Sequence, residues 1–274
     1  MVDIPDVLLS DGSRMPMLGF GVYKVDEAAA VPAVTTALEA GYRLVDTATL
    51  YRNERAVGVA VRASGLPRDA VFVTTKLWND AHGRAAARAA FDASVDRLGL
   101  GAPDLYLIHW PSPARALYVE TWRALRELRD EGRVRSVGVS NFQPDHLGRI
   151  IDDSGEAPVV NQVELHPYLQ QRELRAFHAE HGIVTQAWSP LGRGAVLRDP
   201  VLGEIAAEHG VSPAQVVLRW HLDLDVAAVP KSVTPERIRA NLDVFGFALT
   251  DEDHARIAAL DRDERTGSHP DRVS

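Results

Sequence analysis

The chain contains no cysteine. Disulfides, thiolate metal sites, iron–sulfur clusters and a cysteine nucleophile are therefore excluded. Lysine is almost absent: it occurs only at Lys24, Lys76 and Lys231, leaving 27 of the 30 cations as arginine. Positive charge is in deficit overall, with 30 basic against 38 acidic residues and a net charge of −8. That balance disfavours nucleic acid or an anionic membrane surface as the main partner. No apolar run approaches the roughly 18 residues of a transmembrane helix. The start, Met1-Val2-Asp3-Ile4-Pro5-Asp6, is acidic and has neither the basic nor the apolar region of a signal peptide, so a cytoplasmic protein is expected. No low-complexity run or long Pro/Gly/Ser-rich linker divides the chain. What is present is ordinary for a folded protein: 274 residues, 46% hydrophobic and 25% charged. The length suits one (β/α)8 barrel, which needs about 250 residues.

A repeat of pattern runs through the chain. Short apolar runs rich in β-branched residues recur at Leu18–Tyr23, Leu44–Asp46, Val71–Leu77, Leu105–His109, Arg135–Ser140, Val159–Glu164, Ile183–Trp188 and Val226–Pro230. Between them lie stretches with helical periodicity, such as Ala28–Ala40, Ala85–Leu98 and Tyr118–Glu131. The last gap has room for two helices, the second opened by Ser212-Pro213 as N-cap and N1. Gly41, Gly132, Gly155, Gly182 and Gly210 follow helical patterns, where a stop wants positive φ. Eight strand–helix alternations imply a parallel sheet, and eight strands close a barrel. A doubly wound open sheet is the alternative, but no G-x-G-x-x-G follows the first strand. Val7-Leu8-Leu9, the turn Asp11-Gly12-Ser13 and Met15-Pro16-Met17 read as an N-terminal β-hairpin capping the bottom of the barrel.

In such a barrel the active site lies at the C-terminal strand ends. The polar residues there are Asp46 with Tyr51, Lys76 with Trp78 and Asn79, His109-Trp110, Ser140-Asn141, Asn161, Gln162, Glu164 and His166, Trp188-Ser189, and Lys231-Ser232. An Asp–Lys pair beside a tyrosine has a clear use. A phenol of pKa about 10 is a poor acid at neutral pH. A neighbouring ammonium lowers that pKa, a carboxylate behind it keeps the ammonium charged, and a histidine orients the substrate oxygen. The set suits proton delivery to a carbonyl as it is reduced.

At these positions the chain resembles the aldo-keto reductases. The motifs are Gly41-Tyr42-Arg43-Leu44-Val45-Asp46-Thr47-Ala48 with Tyr51, Glu54 and Gly58; Thr75-Lys76-Leu77-Trp78-Asn79; Leu107-Ile108-His109-Trp110-Pro111; Arg135–Phe142; and Val229-Pro230-Lys231-Ser232 with Arg237, Asn241 and Val244. Several long motifs in order make the match specific. It covers nearly the whole chain and is read as a single domain over residues 1–274. Within the family, Trp188–Gly194, Asn241–Phe245 and Ser268–Asp271 look like the short prokaryotic reductases of the 2,5-diketo-D-gluconate reductase type.

The resemblance implies Tyr51 as general acid, Lys76 as its modulator, Asp46 as partner of Lys76, and His109 as the group orienting the carbonyl. It implies NADPH as cofactor. Ser140, Asn141 and Gln162 match carboxamide-binding positions, Trp188 the ring that stacks on nicotinamide, and Ser189, Leu191 and Gly192 the pyrophosphate loop. Lys231, Ser232, Arg237 and Asn241 match the adenosine 2′-phosphate and adenine site, although Ala240 replaces an acidic residue common there. Phe20, Trp78 and Trp110 are assigned to the substrate mouth, and Tyr23 stands beside them. A monomer is the family default.

Other residues read as structural. Lys24 is taken as a solvated loop lysine. Trp122 and Trp220 belong to helical cores. His82, His146, His178, His181, His209, His221 and His254 read as solvated or satisfied. Glu164 with His166 is too small a set for a metal, and no metal is expected. Asp251-Glu252-Asp253 after Thr250 suits a helix N-terminus. The leading function is NADPH-dependent reduction of small or medium aldehydes, ketones, dicarbonyls or keto-sugar acids, because the loop at 111–117 and the tail after Asp261 are short and leave an open mouth. A metal-dependent hydrolase on the same barrel lacks its ligands. A non-catalytic NADPH-binding sensor or regulatory subunit is the remaining alternative.

Overall fold

The computed structural model describes residues 4–273; the acidic start at Met1–Asp3, like Ser274, lies outside the described residues. Strands β1 (Asp6–Leu8) and β2 (Arg14–Pro16) pair antiparallel as the expected hairpin. Gly12, at φ +85°, makes its turn, a backbone conformation that costs other residues strain.

Eight strands and their helices follow: β3 (Phe20–Gly21), α1 (Glu27–Ala40), β4 (Leu44–Asp46), α2 (Glu54–Ala63), β5 (Phe72–Leu77), α3 (Arg84–Leu98), β6 (Leu105–Ile108), α4 (Tyr118–Asp130), β7 (Ser136–Ser140), α5 (Pro144–Ser154), β8 (Val160–Glu164), α6 (Arg172–Glu180), β9 (Val184–Trp188), α7 (Pro200–His209), α8 (Pro213–Asp223) and β10 (Ala227–Ala228). Two further helices, α9 (Pro235–Ala240) and α10 (Asp251–Ala258), complete the chain order. All neighbouring pairs from β3 to β10 are parallel and in sequence order. The two edges also meet: Gly19 N–H donates to the Ala228 carbonyl, Ala228 N–H to that of Met17, and Gly21 N–H to that of Pro230, at 2.8–3.0 Å. The arrangement matches a (β/α)8 fold.

Local chemistry sets many boundaries. Ser212 and Gln215 form a reciprocal capping box at α8, as do Thr250 and Asp253 at α10, satisfying amides a helix start leaves unpaired. Gly41, Gly132, Gly155, Gly182 and Gly210 all carry positive φ. In α4, Trp122, Leu125 and Leu128 are fully buried on one face, each leucine contributing about 1.5–3 kcal/mol of burial. The first and last runs form shorter strands than expected, only two residues each.

Period 2 along each strand sorts the core into two. Tyr106 and Ile108 pack outward in the cluster shared with the helices, while Leu105 and Leu107 pack inward with Leu44, Phe72 and Val160. Leu9, Met15 and Met17 of the hairpin segment join this inner cluster. Moving toward the strand C-termini, the inward positions turn polar. Leu44 gives way to Asp46, Phe72 to Thr74 and Lys76, and Val160 to Gln162 and Glu164. Hydrophobic burial thus anchors one end of the sheet and leaves the other for chemistry.

Candidate active site

The polar strand ends converge. Lys76, fully buried at the end of β5, donates to Asp46 Oδ1 at 2.6 Å and to the Thr47 carbonyl at 2.9 Å. Asp46 Oδ2 accepts from Gln162 Nε2 at 2.8 Å, and the same amide donates to Gln186 Oε1. Tyr51 ends a short 3₁₀ turn after β4, with its ring centroid 5.1 Å from Lys76 Nζ. Its ring lies 5.6 Å from His109 edge-on and 5.1 Å from Tyr23. Trp78 sits edge-on behind His109 at 5.2 Å.

Two buried residues hold the Tyr51 turn. Asn53 donates to the Val22 and Val25 carbonyls and accepts from Thr47 Oγ1, tying the loop after β3 to the loop after β4. Glu54 accepts from Thr75 Oγ1 and pairs with Arg97 at 2.6 Å. Neither contact is visible in sequence spacing, because each joins separate βα units.

The electrostatics depart from expectation at Tyr51. Its pKa is raised well above 10, by burial first and then by Asp46 and Tyr23. Desolvation of a phenolate outweighs the pull of the nearby ammonium. Burial also lowers the Lys76 pKa, with Asp46 opposing it. His109 falls well below 6.5, through burial and then Lys76, so its imidazole is neutral at pH 7. The result is a protonated phenol, a neutral imidazole and an ammonium held by its carboxylate.

Tyr51, His109 and Asp46, with Lys76 buried behind, border a cavity of about 950 Å³, near the top of the roughly 300–1,000 Å³ usual for ligand sites. Its wall includes Asp46, Tyr51, His109, Trp110, Asn141, Gln162, Trp188, Ser189, Leu191, Lys231, Ser232, Arg237 and Asn241. Asn141, in the left-handed region at φ +64°, donates to the His109 carbonyl and Ser140 Oγ and accepts from Trp188 Nε1 at 2.8 Å. Lys231 and Arg237 bring positive charge to the wall, and among the described residues Asp46 is the only carboxylate on it.

Some assigned residues stand elsewhere. Phe20 is not at the mouth: it is 1% exposed and packs against Tyr42 in the outer core. Ser140 and Gly192 are buried behind the wall, Ser140 donating to the Gln162 carbonyl. Trp78 reaches the site through His109 rather than on the wall. Conversely, Lys24 is a rim residue of the cavity, exposed and 5.5 Å from the Tyr23 ring centroid. Arg193, the start of α8 at Ser212-Pro213-Ala214, and Gly267-Ser268 of the tail also line it. Glu164 and His166 pair at 3.2 Å, but Glu164 also binds the tail. Among the described residues no group of three or more His, Asp or Glu side chains is arranged to hold a metal, and no helix is long and apolar enough to cross a membrane.

Residues 17–262 match the model of the Aldo/keto reductase family, and this chain belongs to that family. It is 52% identical over 266 residues to an aldo-keto reductase of Mycolicibacterium smegmatis, covering 97% of each chain. It is 47% identical to the methylglyoxal reductase DkgA of Escherichia coli, over 97% of this chain and 96% of that one. A crystal structure of a Gox0644 mutant in complex with NADPH superposes with a TM-score of 0.96 at 47% identity, covering 99% of both chains.

Proposed function

We propose that the chain is one barrel domain over residues 1–274, with the hairpin as its floor, that reduces small carbonyl compounds with NADPH. The observation that carries this reading is the cavity whose wall holds Tyr51, His109 and Asp46, the partner of Lys76, together with the cations Lys231 and Arg237. The cavity size, the indole of Trp188 and the cations Lys231 and Arg237 on its wall fit an NADPH molecule, as does the similarity to the NADPH complex. Trp188 would support the nicotinamide, with Asn141 and Gln162 around its carboxamide and Ser140 behind them, bonded to the Gln162 carbonyl. Ser189 and Leu191 would follow the pyrophosphate, with Gly192 turning the loop behind them, and Lys231, Ser232, Arg237 and Asn241 the adenosine 2′-phosphate and adenine.

NADPH, when bound, supplies a hydride to the carbonyl carbon. The protein supplies the proton and the placement. Tyr51 holds its proton until negative charge develops on the substrate oxygen, then donates it, completing the alcohol. Lys76 stabilises the phenolate left behind, which solvent reprotonates. Asp46 keeps Lys76 charged and oriented. Neutral His109 donates a hydrogen bond to the carbonyl oxygen and sets its direction. The substrates that suit the site are small aldehydes, ketones and dicarbonyls, with Trp110 and Tyr23 at the mouth. Similarity to a methylglyoxal reductase supports the dicarbonyls.

The test is a carbonyl panel assayed with NADPH and NADH by loss of reduced-cofactor absorbance, on the parent and Tyr51→Phe. The parent should turn over with a preference for NADPH. Tyr51→Phe should bind NADPH as the parent does and lose about 10²–10⁴ in kcat. Full turnover by Tyr51→Phe would remove the phenol from its role, and a preference for NADH would remove Lys231 and Arg237 from theirs.

A further inference from the structure

The C-terminal tail is fastened beside the cavity, which its Gly267 and Ser268 line, rather than loose. Backbone amides of Arg262 and Glu264 both donate to the Tyr168 carbonyl, and the Arg262 guanidinium lies 3.9 Å from the Tyr168 ring centroid. One turn further on, the tail meets Glu164, the last residue of β8, whose side chain is fully buried. Glu164 Oε1 accepts from the Thr266 amide at 2.7 Å and from Thr266 Oγ1, while Oε2 accepts from the Gly267 amide at 3.1 Å. His166 Nε2 lies 3.2 Å from Oε1. Burial alone would raise the carboxyl pKa; the hydrogen bonds from His166, Thr266 and Gly267 outweigh it and hold the group ionised. Several charge-assisted bonds from one short segment to one buried carboxylate make a strong and specific anchor.

The anchored segment presses on Trp188. A Cβ on Gly267 would fall 2.5 Å from Trp188 Cη2 and 3.1 Å from Glu164 Oε2, so the backbone itself abuts the indole. The opposite end of the same ring is tied by Nε1 donating to Asn141 Oδ1 at 2.8 Å. The ring is thus stopped at both ends, by a hydrogen bond at the pyrrole and by tail backbone at the benzo edge.

We propose that Glu164 is a positioning residue: it clamps the tail at Thr266–Gly267 so that the Gly267 backbone fixes the plane of Trp188, and with it the seat of the cofactor. The cofactor part rests on the NADPH reading above; the hold on Trp188 does not. Glycine is required at 267 because any side chain would enter the indole. A glutamine at 164 keeps the shape but turns one acceptor into a donor facing an N–H.

The test uses the full chain as Glu164→Gln, Gly267→Ala and the double variant. In the free protein, the ¹⁵N–¹H indole signal of Trp188, assigned with Trp188→Phe, should shift or broaden in all three, with the other four indoles unmoved. Amide exchange at Thr266 and Gly267 should accelerate about tenfold or more in Glu164→Gln. The Kd for NADPH should rise in both single variants, and kcat/KM should fall by about 10–100-fold. Because both residues act through one contact, the double variant should be no worse than the worse single variant. An unmoved Trp188 signal in Glu164→Gln and Gly267→Ala overturns the proposal, as does full additivity in the double variant. A parent protein that does not bind NADPH overturns the cofactor reading alone, because the indole signal then still decides whether the tail holds Trp188.

Discussion

Lys76→Met separates the structural task of the buried ion pair from the catalytic one proposed for it. The methionine fills nearly the same space but leaves Asp46, whose side chain is 4% exposed, with Gln162 Nε2 as its hydrogen-bond donor. Breaking a buried pair from one side costs about 3–5 kcal/mol, because a charge remains without its partner. In a chain of this size that lowers Tm on the order of 10 °C. Turnover should fall by about 10²–10⁴, since nothing then stabilises the Tyr51 phenolate as the proton leaves. Asp46→Asn combined with Lys76→Met removes both charges. Asparagine can still accept from Gln162, so most of the lost stability should return while activity stays low. Thermal unfolding by circular dichroism and NADPH oxidation by absorbance read the two effects on the same samples. A Lys76→Met kcat within about threefold of the parent, or activity returning with stability in the double variant, would refute the role of Lys76.

Three further outcomes are expected. In the working state proposed for reduction, Lys76 is charged, Tyr51 protonated and His109 neutral. Because Lys76 lies below its usual value and Tyr51 well above, rising pH discharges Lys76 first. The kcat/KM profile should therefore fall on its alkaline side below 10.5 and show no inflection near 6.5, where an ordinary histidine titrates; a step at 6.5 would contradict a neutral His109. Lys231→Met and Arg237→Met should each raise KM for NADPH about tenfold or more and leave that for NADH nearly unchanged; equal losses with both cofactors would place the 2′-phosphate elsewhere. Gly58→Ala should destabilise the fold by at least about 1–3 kcal/mol, because its Cβ would sit 1.8 Å from the Leu98 carbonyl oxygen where α2 meets α3; a Tm equal to the parent's would deny that contact.

The features legible in the sequence are those set by neighbours along the chain. Ser212-Pro213 and Thr250 cap helices because a side-chain oxygen two or three residues from an orphan amide needs no tertiary partner. Asp46, Lys76 and His109 were assignable to the site because an eightfold strand–helix pattern, once recognised, defines where strands end. Phe20 shows the limit. Its strand is two residues long, so period 2 has no run over which to declare a face, and the side chain turns outward to Tyr42. Lys24 gave no signal either, since a lysine in a loop looks alike whether it borders bulk water or a cavity.

By itself, then, the order of residues determined the alternation of elements, their caps, and the ring of polar strand ends, all consequences of backbone geometry and short-range periodicity. Only the tertiary structure decided what depends on distant segments meeting. Glu164 and His166 read as a meagre metal pair until Thr266, about a hundred positions later, is seen to donate to that carboxylate. The direction of the Tyr51 pKa was likewise undecidable from residue types: an ammonium lowers it, burial raises it, and the amount of water left around the ring settles which prevails.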